Sequence, residues 1–515
     1  MKPTEGSDTR SGGAAKGSMV PTAVRGVSWT MLGSIGQAAL QMVTIVVLSR
    51  LVSVEEYGMA AAATVVIGLA VMLSQLGIGP ALVQARTLDR TDIASAFVLG
   101  TTLGVLLAGV MFAAAPLIGP LVGLPADSSY LQILSIVLVL GGVNGVASGL
   151  LQRDMRFRAI TLVDLPSYGI GYLGTAATLA YFGAGTAAIV WGQVTQTLMT
   201  TVGYYALVRH DVRPRRIRVM LARGRRLFRF GSAYSVSQVG NWLANNGDNL
   251  VITSTLGAPA LGIYSRAYQL LVQPATLIGG VADKVVFPAM SRIQHDSRRL
   301  AHAFVRMNSL IAMLTLPASV LIIVAAPEIV VILLGPNWSA VTLPLQIFAA
   351  VLLPRTAYKI SGSLTRATGA VVGGALRQWI YAAFVVVGCL VGTRWGLAGV
   401  AAGTSVAIVV HTLVMLKFSS RIKRGLVGDV LRAYAKSLPP AAATAAVCWP
   451  LAVWLRASGV PAVVTLLLTS AAGLLMAGLV LLAMRRMFAE ELAVLAQFRP
   501  RKRSTSRAAA TAHVG

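Results

Sequence analysis

Residues 93–119 read IASAFVLGTTLGVLLAGVMFAAAPLIG, a run of 27 positions without one charged side chain. A helix needs about 20 mainly apolar residues to cross roughly 30 Å of hydrocarbon, and this run is longer than that. Its apolar side chains follow one another without alternating, which favours a helix over a strand of a membrane barrel. The run therefore predicts a membrane-spanning α-helix.

The composition of the whole chain agrees with that prediction. Of the 515 residues, 56% are hydrophobic and 12% are charged, whereas soluble domains carry about 25% charged residues. The net charge is +27, but a nucleic-acid-binding protein would carry its cations on a polar domain. The composition excludes a soluble protein and indicates a polytopic membrane protein. Cys389 and Cys448 lie in apolar runs and offer no metal site.

The same length criterion predicts fourteen transmembrane helices in an all-α polytopic fold. The predicted spans are 27–49, 58–79, 93–119, 130–151, 160–182, 184–208, 231–254, 260–288, 303–326, 339–364, 371–392, 395–417, 437–455 and 460–484.

The first twelve spans form two related halves. Shifting the chain by 204 residues superimposes Ser28 on Ser232, Gly36 on Gly240, Val47 on Val251, Gly58 on Gly262 and Ala63 on Ala267. Because the shift covers six spans, an even number, the halves point the same way through the membrane. We therefore predict two six-helix lobes in a parallel pseudo-two-fold repeat, with a substrate site between them and two extra helices outside.

The basic residues predict the orientation. If the N-terminus is cytoplasmic, 37 of the 44 Lys and Arg residues fall in inner loops and tails, and only Arg50, Arg394 and Arg456 fall in outer loops. Lys and Arg concentrate in cytoplasmic loops, so both termini are predicted to be cytoplasmic. No cleavage site follows a short apolar core, so the first helix is expected to remain in the protein.

The predicted organisation has six parts. They are a disordered cytoplasmic tail (1–26), the N-lobe (27–208), a basic cytoplasmic linker (209–230), the C-lobe (231–418), an appendix of spans 13 and 14 (419–484) and a basic cytoplasmic tail (485–515). The linker, with nine arginines, is either a topology anchor between the halves or a segment lying on the anionic inner leaflet.

Four cations lie within predicted spans: Arg266, Lys284, Arg355 and Lys359. An ionisable residue in a span costs about 2.5–3.5 kcal/mol on insertion scales, so it usually faces a cavity or a partner. If the four converge, they form a cationic cavity open to the inner side. Such a cavity suits a diphosphate, because guanidinium groups bind phosphate oxygens at two points. For Lys359, snorkelling to the inner headgroups is an alternative.

Two further residues are candidates for ion coupling or an ion pair. Asp248 and Arg266 flank the turn at 256–259 at equal distances along the chain, so antiparallel neighbours would hold them at one depth. They form either a structural ion pair or a charged cavity wall in which Arg266 binds an anionic substrate. Asp248 and His411 are also candidates for coupling transport to H⁺ or Na⁺, although lone histidines are more often structural.

The sequence contains no catalytic motif that we recognise. It lacks a GxxxxGK[ST] phosphate loop, an Asp-x-Asp pair, HExxH, GxSxG and a Cys/His cluster. We therefore expect no enzyme, no bound metal and no cofactor other than a coupling ion.

Several segments resemble the Wzx-type polysaccharide exporters, especially their WzxC-like branch. They are LSRLVSVEEYG at 48–58, LGIGPALVQ at 76–84, LQRDMRF at 151–157, GDNL at 247–250, and the most specific pair, LGIYSRAYQ at 261–269 with FPAMSR at 287–292. The last third of the chain matches only in hydropathy. This family belongs to the multidrug/oligosaccharidyl-lipid/polysaccharide (MOP) flippase superfamily, with twelve core helices in two lobes and often two more.

The resemblance implies a bacterial inner-membrane flippase that moves undecaprenyl-pyrophosphate-linked oligosaccharide units outward by alternating access. It would serve exopolysaccharide, O-antigen or capsule synthesis, with a polysaccharide polymerase and glycosyltransferases as partners. Where the family commonly continues with Gly-Arg after residues 248–252, Thr253 and Ser254 follow here, so one cation near the outer end of span 7 is absent. Two alternatives stay open: a small-molecule antiporter of the same fold, and a non-transporting scaffold that recruits glycosyltransferases.

Overall fold

The computed structural model describes residues 19–208 and 238–491 except 76, 86, 126–128, 368–370 and 490, without the side chains of 19–28, 30, 274, 276–289, 292 and 366–375. The regular structure of these residues is helical, without a strand. The helices are α1 (Met19–Leu51), α2 (Val54–Gln75), α3 (Ile78–Gln84), α4 (Arg90–Leu121), α5 (Tyr130–Arg153), α6 (Phe157–Tyr168), α7 (Ala177–Tyr181), α8 (Thr186–Leu207), α9 (238–255), α10 (Gly257–Arg292), α11 (Ser297–Leu333), α12 (Thr342–Ala350), α13 (Leu352–Ala367), α14 (Val371–Gly392), α15 (Gly396–Ser419), α16 (Leu426–Lys436), α17 (Leu438–Ala457) and α18 (Ala462–Ala483). A π-helical segment, Gly169–Ala176, joins α6 to α7, and 3₁₀ turns at Pro336–Val341 and Thr393–Trp395 precede α12 and α15.

The prediction of an all-α, multi-pass membrane protein is confirmed. Among the described residues, eight helical stretches are long and apolar enough to cross a membrane, or nine if the pair Pro336–Ala350 and Leu352–Thr365, bent by 47°, forms one span. In each of the fourteen predicted intervals, most of the residues that the structure describes are helical. Helices such as α8 and α10 fail the hydropathy criterion because they carry polar side chains, so the count of fourteen spans stays a prediction.

The described parts of the two predicted tails contain ordered structure, and the organisation into six parts stays a prediction. Helix α1 begins at Met19, inside the interval predicted to be a disordered tail. The tail predicted from residue 485 begins with a packed turn, in which Phe488 is fully buried against Leu310 and Met313 of α11. The basic linker at 209–230 lies outside the described residues.

Helices α2 and α10 meet in a contact that we call the junction, and it joins the two predicted halves. A Cβ atom built on Gly58 would meet the carbonyl oxygen of Ala258, and one built on Gly262 would come within 2.5 Å of the carbonyl oxygen of Val54. Gly58 and Gly262 are one repeat of 204 residues apart, and so are Val54 and Ala258. Such a reciprocal contact is what a two-fold axis between the helices requires.

Segments predicted to lie on one side of the membrane contact one another. On one side, Arg50 Nη2 donates to the carbonyl oxygen of Ile332 at 2.8 Å, and Trp338 Nε1 donates to that of Ser49 at 2.8 Å. On the other, Arg153 Nη1 donates to the carbonyl oxygen of Leu82 at 2.7 Å. The first two bonds join the predicted halves at the side where the junction lies.

Candidate functional site

Arg266 lies on α10 at the junction and is only 2% exposed. Its guanidinium carbon is 3.6 Å from the ring centroid of Tyr57 on α2 and 5.6 Å from that of Trp338. The rings of Tyr57 and Trp338 contact edge to face, with centroids 5.9 Å apart. The cation is therefore held against aromatic faces, an interaction whose strength rises when the pair is desolvated.

The hydrogen bonds of Arg266 are incomplete. Its Nη1 donates to Gln269 Oε1 at 3.3 Å, and Gln269 Nε2 donates to the Tyr57 hydroxyl at 3.3 Å. Its Nε and Nη2 are buried without a hydrogen-bond partner among the described residues, and no described carboxylate forms an ion pair with it. Burying a cation in this way costs free energy of folding, because Nε and Nη2 lose their hydrogen bonds to water and gain none in return.

Asp248, on α9, does not pair with Arg266. Its carboxylate is 2% exposed and accepts hydrogen bonds from the Tyr264 hydroxyl at 2.6 Å and the Asn249 backbone N–H at 2.8 Å. Of the two alternatives for Asp248 and Arg266, the structural ion pair is not formed between these two described residues, because their side chains point in different directions. Residues two positions apart in a helix point about 200° apart around its axis. Tyr264 therefore faces α9, whereas Arg266 faces α2.

Arg355, on α13, is buried within the second half. It is 6% exposed, and its Nη2 donates to the Tyr268 hydroxyl at 2.7 Å. Its guanidinium carbon is 4.4 Å from the centroid of the same ring. Tyr268 stacks on Tyr264 with centroids 6.1 Å apart, so a continuous set of contacts runs from Arg355 to Asp248.

The same set of contacts extends to α14 and α15. The Tyr264 hydroxyl is 2.8 Å from Thr404 Oγ1, which in turn is 3.2 Å from Cys389 Sγ. His411 is 4% exposed and stacks on Tyr381 with centroids 4.3 Å apart. The histidine is therefore packed among aromatic rings, which fits the structural role of a lone histidine better than a proton-carrying one.

Of the four cations predicted to form a cavity, the structure describes the side chains of Arg266, Arg355 and Lys359. Arg266 faces the junction and Arg355 faces Tyr268, and among the described residues the two contact no side chain in common. Lys359 is half-buried one turn along α13 from Arg355. The side chain of Lys284 lies outside the described residues. Convergence of the four on one substrate therefore stays a prediction.

Sequence reasoning missed the aromatic and amide partners of both arginines. Tyr264, Tyr268 and Gln269 lie beside Arg266 in the segment 261–269, where a cation among tyrosines could have indicated cation–π contacts. Tyr57 and Trp338 gave no comparable signal, because both are remote from Arg266 in sequence.

Solved structures show which fold this arrangement belongs to. The lipid II flippase MurJ in an inward closed conformation superimposes with a TM-score of 0.70 at 15% identity, over 90% of this chain and 100% of that one. An inward-facing multidrug resistance MATE family transporter of the MOP superfamily gives a TM-score of 0.61 at 16% identity, over 77% of this chain and 96% of that one. The protein is a multi-pass helical membrane protein with the MOP fold.

Sequence comparison narrows this class. A family model described as "Polysaccharide biosynthesis protein" matches residues 47–343, and the chain belongs to that family. The lipopolysaccharide biosynthesis protein WzxC of Escherichia coli K12 is 25% identical over 420 residues, covering 81% of this chain and 84% of that one. The teichuronic acid biosynthesis protein TuaB of Bacillus subtilis is 24% identical over 405 residues, covering 72% and 82%.

Proposed function

We propose that the protein is an inner-membrane flippase that exports undecaprenyl-pyrophosphate-linked oligosaccharide units by alternating access, for exopolysaccharide, O-antigen or capsule synthesis. The observation that carries the proposal is Arg266, a buried guanidinium with two spare donors at the junction of the two halves. The names of the relatives, which concern lipopolysaccharide and teichuronic acid, support a saccharide-bearing substrate.

The proposed topology has fourteen transmembrane helices: two six-helix lobes with two extra helices, and both termini in the cytoplasm. In this topology the junction lies on the outer side, and the described conformation is closed there. The protein would act as a transporter without catalysis, beside a polymerase and glycosyltransferases. Asp248 is the better candidate for a coupling-ion site, because His411 is enclosed by rings.

Opening of the outer side would change the surroundings of Arg266. When α2 moves away from α10, Tyr57 leaves the guanidinium, and the N–H donors that do not bond to Gln269 become available to a ligand. A diphosphate accepts such donors at two points, so it would bind the open state better than the closed one. A ligand shifts a conformational equilibrium only through such a difference in affinity.

The test is complementation of a strain from which the gene has been deleted. Arg266→Gln should leave the protein in the membrane at its normal amount but restore no polysaccharide, and lipid-linked oligosaccharide should accumulate on the inner leaflet. Arg394→Gln, which removes an exposed cation from the 3₁₀ turn before α15, is the matched control and should complement fully. Full complementation by Arg266→Gln would contradict the proposal.

The same strain tests the two alternatives. A small-molecule antiporter is favoured by the MATE-like fold, and it predicts drug sensitivity with normal polysaccharide. A scaffold predicts that glycosyltransferases lose their membrane localisation in the deletion strain and regain it with Arg266→Gln.

A further inference from the structure

A second cavity lies apart from both arginine sites, where α11 begins. Its volume is about 1710 Å³, and its walls come from the first turns of α11, from α16 and from the turn that follows α18. Seven Lys or Arg side chains line it, against three carboxylates. No residue of the Arg266 or Arg355 site contributes to this wall, so the cavity requires its own explanation.

The carboxylates of the cavity are engaged by part of this charge. Asp429 accepts from Lys423 Nζ at 3.0 Å and from Arg432 Nη1 at 3.3 Å. Asp296 caps α11 by accepting from the backbone N–H groups of Arg298 and Arg299, and it pairs with Arg299 Nε at 3.3 Å. These contacts order the wall but do not neutralise it.

The surplus charge comes from three separate elements. Arg298 on α11, Lys436 on α16 and Arg486 after α18 line the cavity without a carboxylate partner among the described residues. The turn that carries Arg486 packs on α11, because Phe488 is fully buried and the Ser309 hydroxyl donates to Glu491 Oε1 at 2.7 Å. A concave wall that concentrates one sign of charge attracts ligands of the opposite sign.

Exposed apolar side chains lie close in sequence to residues that line the cavity, namely to Arg432, Lys436 and Arg486. Leu431 of α16 is 49% exposed, Leu438 of α17 is 54% exposed and Leu482 of α18 is 65% exposed. Helix α16 buries Leu426 and Val430 but exposes Leu431, so it is amphipathic, as helices at a membrane surface are. A phospholipid bound in the cavity could cover this nearby apolar surface with its acyl chains, whereas a soluble anion could not.

We propose that this cavity binds the phosphate headgroup of an anionic membrane phospholipid. Basic pockets between membrane helices bind such headgroups, since Lys and Arg near the surface attract anionic lipids. The lipid would hold α11, α16 and the turn after α18 together. The inference does not depend on which substrate the protein transports.

Native mass spectrometry of the purified full-length protein in detergent tests the proposal, with phosphatidylglycerol, phosphatidylcholine or pyrophosphate added. One phosphatidylglycerol molecule should bind more tightly than phosphatidylcholine. The double variant Arg298→Gln/Lys436→Gln should weaken its binding roughly 30-fold, because two attractive charges are lost. Arg90→Gln/Lys417→Gln removes the same two residue types from exposed positions outside the cavity and should change binding less than about twofold.

Three results would overturn the proposal. They are equal weakening in both double variants, phosphatidylglycerol binding no tighter than phosphatidylcholine, and displacement of the lipid by an equal concentration of pyrophosphate. If the cavity variant does not fold, Lys436→Gln alone changes one exposed side chain and should weaken binding about fivefold.

Discussion

Arg266 and Arg355 are alike in burial but differ in the partners they use. Both are at most 6% exposed, and both contact a tyrosine ring. The ring beside Arg266 is that of Tyr57, which belongs to the other predicted half. Two guanidinium nitrogens of Arg266 have no hydrogen-bond partner in the part of the chain that the structure describes. The ring beside Arg355, Tyr268, belongs to the same half and leads on to Asp248. The two arginines thus differ in role. Arg355 stabilises one predicted half, whereas Arg266 lies in the contact between the two.

The largest expected difference is in the stability of two variants, in which Arg355 or Arg266 is replaced by leucine. Arg355→Leu removes a hydrogen bond from a charged donor, which contributes about 1.5–3 kcal/mol, and it leaves the Tyr268 hydroxyl buried without its donor. Arg266→Leu removes a cation whose burial is poorly compensated, so stability should change by less than about 1 kcal/mol. The midpoints of thermal unfolding in detergent measure both effects.

Transport per folded molecule should be affected in the variant that keeps its stability, Arg266→Leu. Arg266→Leu should be stable and inactive, whereas the activity of Arg355→Leu should fall with the amount of folded protein. If Arg266→Leu proves the less stable of the two, the distinction between the sites is wrong.

Alanine at either glycine of the junction, Gly58 or Gly262, should move α2 and α10 apart. Alanine favours a helix over glycine by about 1 kcal/mol, but a Cβ at Gly58 or Gly262 meets a backbone carbonyl, and overpacking costs about 1–3 kcal/mol. Each of Gly58→Ala and Gly262→Ala should therefore separate the ends of α2 and α10 that meet at the junction. Distances between spin labels at those two ends measure the change.

Gly109→Ala is the control for the glycine pair. Gly109 lies in α4, and a Cβ there has nothing within 4 Å, so the helix should gain up to about 1 kcal/mol with no change in label distance. A response to Gly58→Ala without one to Gly262→Ala would contradict the reciprocal contact.

The fold was predictable because a membrane requires long apolar helices. The run at 93–119 became part of α4, Arg90–Leu121, and the shift of 204 paired the two glycines that meet at the junction. The ends were less predictable because apolar run length does not report packing. Nothing in the tail composition indicated that Phe488 would be buried on α11.

The candidate site was predictable only in its charges. The cost of a cation in a span singled out Arg266 and Arg355, and both are buried. The ion pair with Asp248, one of the two alternatives, is not formed because equal distance along the chain does not fix the direction of a side chain around its helix. Tyr57 could not be placed beside Arg266, because that contact depends on how the two halves pack.

The smallest expected effect belongs to Tyr57→Phe, which separates the ring of Tyr57 from its hydroxyl. The cation–π contact with Arg266 is kept, and only the hydrogen bonds to Gln269, at 3.3–3.4 Å, are lost. Bonds of that length between neutral groups contribute at most about 1 kcal/mol, so the unfolding midpoint and transport should change little. Tyr57→Leu removes the ring as well and should shift the label distance toward the open state. If Tyr57→Phe shifts the label distance as far as Tyr57→Leu does, the hydroxyl rather than the ring holds Arg266 at the junction.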